Sequence, residues 1–426
     1  MAGGAATLTG AASLPAGAAT DVDVIVVGAG AAGLSATADL MAKGFSVRCV
    51  EARNRIGGRA VTDTSTFGVP FDRGAHWLHT RKRNPWVKIG KKLGFDVYKA
   101  PDNYIVTSDG KQVDGTALWA AADNVERAIK RQAKKRKDKS LSAVAPDDTV
   151  WDQTAVSLFA LSMGIDADEI SVMDWWSAEG GADSFCRQGF GAIVAKLHAE
   201  IPVTLDTQVR RISVRGDQVE VATSSGTLTA RACILTVPLG VLQTGAIKLD
   251  PAPGKKLTSA LNGFRMGTYN HSALLFKPGT FDAEPDTWAM PMRPQGAPPT
   301  GALVNASGHP LCVVESSGSS GRALEKQGKA AMVEFGLEVL VDMFGTNIRK
   351  GLIKSDATRW GQDQFSLGCY SAARIGAAGL RKHFRRPIGN RVFLAGEHCH
   401  PGFQSTVAGA HMDGARAAVT VAELLS

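Results

Sequence analysis

After a leader, the pattern of apolar and polar positions opens on residues 21–59, DVDVIVVGAGAAGLSATADLMAKGFSVRCVEARNRIGGR. Val22–Val27 is apolar almost throughout and does not alternate, as a parallel strand buried on both faces requires. A glycine-rich turn follows, then a helical stretch that Gly44 ends, and Phe45–Val50 reads as a second strand closed by Glu51. Farther along, Val203–Val214 and Gln218–Thr223 read as strands around a Gly216-Asp217 turn, and Arg231–Pro238 (RACILTVP) as another. Asn84–Glu200 reads as largely helical. Phe264–Thr358 carries strand signals at Ser272–Phe276 and Cys312–Ser316, followed by a helix pattern over Lys326–Phe344. Met292–Gly301 is a Gly/Pro-rich loop. Arg391–Ala395 reads as a strand and Ser405–Leu425 as a helix. There are no internal repeats.

The glycine turn carries the first chemistry. In Gly28-Ala29-Gly30-Ala31-Ala32-Gly33, Gly28 permits the tight turn, Gly30 lets backbone approach a pyrophosphate, and Gly33 lets helix pack on strand. The helix N-terminus, with Ala32 in its first turn, offers free N–H groups and partial positive charge to phosphates. Glu51, at the end of the second strand, is placed to accept from a ribose hydroxyl. It would repel a 2′-phosphate, so NADP is not the expected ligand. Arg55-Ile56-Gly57-Gly58-Arg59 continues from the acid: its paired glycines admit a second phosphate approach, and Arg59 can neutralise pyrophosphate charge. The alternative is a solvated arginine cluster.

Bulk properties narrow the class. The 426 residues suffice for two domains, and 44% hydrophobic with 21% charged residues fits a soluble globular protein. The 47 glycines suit a backbone wrapped closely round a cofactor. Net charge is +8, part of it in Arg127–Lys139 (RAIKRQAKKRKDK). That run reads as a solvated helix face, and with no aromatic residue to stack bases no nucleic-acid partner is expected. The six cysteines form no C-x-x-C pair, so no metal site is expected; Cys49 and Cys233 read as core. No stretch reaches the roughly eighteen apolar residues of a membrane span. Met1–Thr20 is Ala/Gly-rich and uncharged and ends in Ala16-Gly17-Ala18. It has the look of an export signal without its basic start, and the expectation is a twin-arginine-type leader and a periplasmic protein. A disordered leader on a cytoplasmic protein is the other reading.

Several blocks carry a resemblance to a known family. The run Glu51-Ala52-Arg53-x-Arg55-x-Gly57-Gly58-Arg59 resembles the second phosphate contact of the large FAD family that includes amine oxidases, phytoene desaturases and protoporphyrinogen oxidase. Phe71–His79 (FDRGAHWLH), with Asn84-Pro85, resembles the Gly-Ala-x-Trp-Ile-His segment of polyamine and spermine oxidases. Val237–Leu242 (VPLGVL), Arg359-Trp360 with Gly368–Ser371 (GCYS), and Phe393–Glu397 (FLAGE) with Thr406–Ala410 (TVAGA) resemble further blocks of the flavin amine oxidases.

The resemblance implies an α/β fold: a Rossmann-like FAD-binding domain of the p-hydroxybenzoate hydroxylase/glutathione reductase type, with an interleaved α+β substrate domain. The first is expected over residues 21–80, 202–263 and 355–426, and the second over 81–201 and 264–354. FAD contacts are implied for Gly28, Gly30, Ala32, Gly33, Glu51, Ala52, Arg53, Gly58, Arg59, Gly74, Ala75, His76, Trp77, Val209, Trp360, Cys369, Gly396, Glu397, Thr406 and Val407. Backbone N–H groups near Thr406 and Val407 would stabilise negative charge on the reduced flavin.

Substrate-side roles are implied for His271, Tyr370, His79, Trp77 and Thr406. The implied reaction is oxidation of a polyamine or related amine to an imine and then an aldehyde, with oxygen reduced to hydrogen peroxide. An L-amino-acid oxidase, an amine dehydrogenase with another electron acceptor, and a flavin-binding scaffold are the alternatives.

Two positions depart from the pattern. His271 stands where the family places a lysine that holds a water against the flavin. It would titrate nearer neutrality, and it could either hold that water or slow the reaction with oxygen. Cys369 matches the monoamine oxidase form, in which the thiol is tied to the flavin; non-covalent binding is the expectation here. Few acids stand out in the matched tunnel segments, an objection to a cationic substrate.

Overall fold

The computed structural model describes residues 20–426, so the expected leader lies outside the described residues but for its last position. Two large sheets organise the chain. The first has eight strands. Its centre is parallel: Val22–Val27 lies between Gly226–Leu235 and Val47–Val50, and Val203–Thr204 extends it beyond Val47–Val50. Val392–Leu394 joins in parallel beside Cys233–Leu235. On the other flank Gln218–Thr223, Val209–Arg215 and Lys248–Asp250 continue the sheet. Both faces of the first strand are buried, Val24 and Val26 in one core and Ile25 and Val27 in another. That is why its sequence does not alternate.

The helices Ala31–Ala42 and Val407–Leu425 cover one face and pack together. Their contact is so close that a Cβ on Gly414 would stand 2.1 Å from the Ala32 carbonyl oxygen. The second sheet runs in the order Leu352–Ala357, Tyr269–Phe276, Leu311–Ser317, Thr300–Val304, Thr287–Pro291, Tyr104–Ser108 and Lys111–Val113. Its strand Leu352–Ala357 pairs with Tyr269–Phe276 up to Ala357, so this sheet extends past the boundary expected at residue 355.

Other boundaries also move. The single strand read over Val203–Val214 is two, Val203–Thr204 and Val209–Arg215, at opposite flanks of the sheet. Between them the chain crosses under the parallel strands, held by Asp206 N–H on Arg53 O and Thr207 N–H on Glu51 O. The helix read over Lys326–Phe344 is broken at Gly328, whose φ of +99° ends Gly318–Gln327 before Lys329–Phe344 begins. Asn84–Glu200 holds five helices, with strand Tyr104–Ser108 between them feeding the second sheet. The basic run leaves the helix Thr116–Lys134 at its end, with its cations exposed and Ala128, Ile129 and Ala133 buried. No helix among the described residues is long and apolar enough to cross a membrane.

Candidate active site

Four parallel strands end at one cavity of about 910 Å³. The chain enters its wall after Val27, Val50, Leu235 and Leu394, at the carboxyl edge where open parallel sheets take ligands. The far wall is the second sheet. Every residue given an FAD-contact or substrate-side role from the sequence lines this cavity except Gly33. Gly33 lies behind the turn, where a Cβ would stand 1.8 Å from the Gly28 carbonyl oxygen.

The two glycine turns dock on each other. Gly57 N–H donates to Ala29 O at 2.8 Å, and a Cβ on Gly58 would come 3.3 Å from Gly30 Cα. Gly28 and Gly57 have φ of +101° and +91°, which only glycine adopts without strain. A Cβ on Gly30, by contrast, meets no atom within 4 Å. No side chain caps the helix that starts there. Glu51 is buried and accepts from Ala29 N–H at 2.7 Å and Arg53 N–H at 2.9 Å. Each oxygen keeps a lone pair for a further donor. Arg53 reaches away to Asp363 and Ser366.

The C-terminal segment closes the middle of the cavity. Glu397 accepts from Arg59, from the Ser371 N–H and hydroxyl, and from Ser405 N–H. Burial raises its pKa, but Arg59, His398 and the Ser371 hydrogen bond outweigh this and hold it below the ordinary value. Its oxygens are therefore taken up within the protein, and it acts as a brace between the glycine loop, the Cys369–Ser371 segment and the C-terminal helix. Ser405 carries the strain of that turn at φ +65°. The Thr406 hydroxyl is likewise committed, donating to Phe403 O and accepting from Gly409 N–H as the helix N-cap. This leaves the Val407 backbone end of the helix on the cavity wall. Trp360 donates its ring N–H to Arg73 O, and its ring lies on Gly74.

The second-sheet wall is aromatic and acidic. Trp77 packs against Phe185 and Trp288, and Tyr269 against Tyr370. The Tyr370 hydroxyl donates to Ser162 O at 2.6 Å. His271 is buried and donates Nδ1–H to the Asp72 backbone oxygen at 3.0 Å, which leaves Nε2 as an acceptor. Burial pushes its pKa down to about 4, against the expectation of an imidazole nearer neutrality. Burial pulls the His76 pKa down, but the bond from its Nδ1–H to the Asp72 carboxylate at 2.9 Å and the charges of Asp72, Asp286 and Glu315 together outweigh this and raise it. His79 lies at the rim, half exposed, paired with Asp183 at 3.1 Å.

Reading the sequence missed the acids of this wall. Glu315, Asp286, Asp183, Glu179 and Asp102 all line the cavity from segments outside the matched motifs. One signal was available: Glu315 is the lone charge in Leu311–Ser317, a strand buried along its whole length.

A family model described as flavin containing amine oxidoreductase matches residues 31–422. Probable polyamine oxidase 4 of Arabidopsis thaliana is 28% identical over 92% of this chain and 86% of its own length. Polyamine oxidase 4 of Oryza sativa subsp. japonica is 29% identical over 93% and 87%. Lysine-specific histone demethylase 1 homolog 1 of the same rice is 29% identical over 93% of this chain but 52% of its own length. Among solved structures, a putrescine oxidase redesigned at its cofactor site superposes with a TM-score of 0.79 over 95% of this chain and 99% of that one, at 17% identity, which is a likeness of fold.

Proposed function

This chain belongs to the family of flavin containing amine oxidoreductases, and we propose that it binds FAD in the double glycine cradle and oxidises a polyamine or related primary or secondary amine against the second-sheet wall, passing the electrons to oxygen. The observation that carries the substrate side is the acid on that wall. The chain as a whole is cationic, at +8, yet the cavity presents Glu315, Asp286 and Asp183 on its substrate side, while Glu179 and Asp102 at its margin are ion-paired with Arg83 and Lys99. A cationic amine is drawn to such a cleft irrespective of net charge.

The residues present fit FAD. The open space over Gly30, the uncapped helix and the free lone pairs of Glu51 suit a pyrophosphate and a ribose. Arg59 retains donors beyond those on Cys369 O and Glu397. Bound FAD supplies the acceptor for a hydride from the carbon next to nitrogen. The protein orients that carbon between Trp77, Tyr269 and Tyr370, excludes water, and offers the Val407 backbone end to charge on the ring. His271, with its tautomer set by Asp72 O, would hold a water through its Nε2 lone pair.

An amino-acid oxidase would need an arginine to grip the substrate carboxylate. Among the described residues, the arginines on the cavity are Arg53 and Arg59, both on the cradle side. Arg73, Arg187 and Arg265 are paired elsewhere, with Asp63 and Asp356, Asp96, and Glu169. Mixing the oxidised holoprotein anaerobically with spermine, putrescine, tyramine and amino acids tests the reading. Bleaching of the flavin by spermine or putrescine, with peroxide formed on admitting air, supports it. Bleaching by amino acids alone, or by none of these, overturns it.

A further inference from the structure

A polyamine reaches the protein as an ammonium ion, whereas hydride transfer needs the nitrogen lone pair free. A base inside the cavity would take that proton from the bound ammonium. Glu315 is 3% exposed and lies directly opposite His271 in the antiparallel pair of Leu311–Ser317 with Tyr269–Phe276. It lines both the main cavity and a side chamber of about 20 Å³ shared with Asp72, His76, Trp77 and His271. That volume is room for one water.

The groups facing it are Tyr269 and His271 from one paired strand, Trp288 from Thr287–Pro291, and His76 and Trp77 from the segment after Phe71–Asp72; the other paired strand, Thr300–Val304, sets Gly301 opposite it and adds no titratable group. Asp72 stands behind His76, and Tyr370 behind Tyr269. Among the described residues no lysine or arginine pairs with it. The hydrogen-bond donors facing its carboxylate are neutral, the Tyr269 hydroxyl and the Trp288 and Trp77 ring N–H groups. Glu397, by contrast, has the Arg59 cation beside its neutral donors, which holds its pKa down. Burial pushes Glu315 up to about 7, with Tyr269 and His76 pulling it back, so it can exchange a proton near neutral pH.

Resting on the amine-oxidising reading above, we propose that Glu315 is the catalytic proton acceptor for the substrate ammonium. One N–H bond of the ammonium breaks, its proton passes to a carboxylate oxygen, and the electron pair stays on nitrogen. A cation and an anion become a neutral amine and a neutral carboxylic acid, with no change in oxidation state. His76 is a positioning residue: Nδ1–H is fixed on Asp72, and its buried Nε2 has no partner among the described groups.

The test uses the holoprotein and Glu315→Gln, with Glu315→Asp as the conservative variant; retained flavin absorbance reports folding. Anaerobic stopped-flow with putrescine and spermine gives the rate of flavin reduction against pH. Glu315→Gln is expected to be slowed about a hundredfold near neutrality and to recover as pH rises toward the amine's own pKa, with Glu315→Asp in between. Independently of turnover, binding a diamine that lacks hydrogen on the carbons next to nitrogen, at about pH 8, should produce a protonated-carboxyl C=O band in the infrared difference spectrum of the wild type and not of Glu315→Gln. If amines bleach the wild-type flavin but the variant keeps its pH profile, or the band is absent, the role of Glu315 is overturned and the function stands. If no amine bleaches the flavin, the function itself fails.

Discussion

Two glycines three residues apart should respond oppositely to one added methyl group. Gly30 has φ −81° and ψ −179°, an extended backbone open to any residue, and a Cβ there meets nothing. Gly30→Ala therefore leaves the fold of flavin-free protein intact and stabilises it by about 0.5 kcal/mol, through the narrower unfolded ensemble. The same carbon stands where a pyrophosphate would lie against backbone. It displaces the phosphate by about one C–C bond length, 1.5 Å, beyond hydrogen-bonding reach of the helix N-terminus. Losing about 2–3 kcal/mol of charge-assisted bonding weakens flavin binding roughly 30- to 150-fold.

Gly33→Ala puts its carbon 1.8 Å from Gly28 O and 2.9 Å from Thr236 Oγ1. The helix must then lift off the turn, at about 3 kcal/mol or more, with or without flavin. Denaturant unfolding of flavin-free protein and titration with FAD, read by flavin fluorescence, separate the two. A Gly30→Ala protein that unfolds as readily as Gly33→Ala, or that keeps wild-type affinity, would refute the assignment of the cradle.

Three further outcomes rest on the same structure. His271→Lys replaces an acceptor by a donor facing the cavity and should speed reoxidation of reduced flavin by oxygen; equal rates when the reduced protein is mixed with oxygen would rule this out. His198 is 3% exposed, packs on Trp86, and is pushed by burial down to about 4. The unfolded chain thus takes up its proton first, so its share of stability is complete above about pH 6.5 and is lost as pH falls toward 4, about 2 kcal/mol of it by pH 5. His198→Leu should flatten the acid limb of unfolding free energy by that amount and leave pH 7.5 nearly unchanged; a parallel curve would contradict it. Cys369 Sγ is wedged so that a Cβ on Gly164 or Gly267 would stand 3.0 or 3.1 Å from it, and burial raises its thiol pKa. Acid precipitation should leave the yellow colour in solution, and a yellow pellet would indicate a thioether.

Much of the architecture was legible because its signals are local. The unalternating Val22–Val27, the glycines after it and Glu51 each announce their own geometry within a few residues. The crossing at Asp206 was less visible, because chain direction there is set by distant partners, Arg53 O and Glu51 O, whereas the break at Gly328 is local, a glycine at φ +99° inside one continuous helical pattern. Motifs gave the positions of Thr406 and Glu397 but not where their hydrogen bonds go; both are used within the protein. Glu315 was missed because its surroundings arise from pairing with His271, forty-four positions earlier in the chain.

The first helix rests on the last one, and the strand Val392–Leu394 completes a sheet begun at Val22. Vectorial synthesis therefore presents the glycine turn to the cell long before its lid exists. A ribosome-bound chain halted before the helix Val407–Leu425 lacks the surface that closes the pocket, so cofactor capture should wait until that helix has emerged and docked, a long-range step of folding.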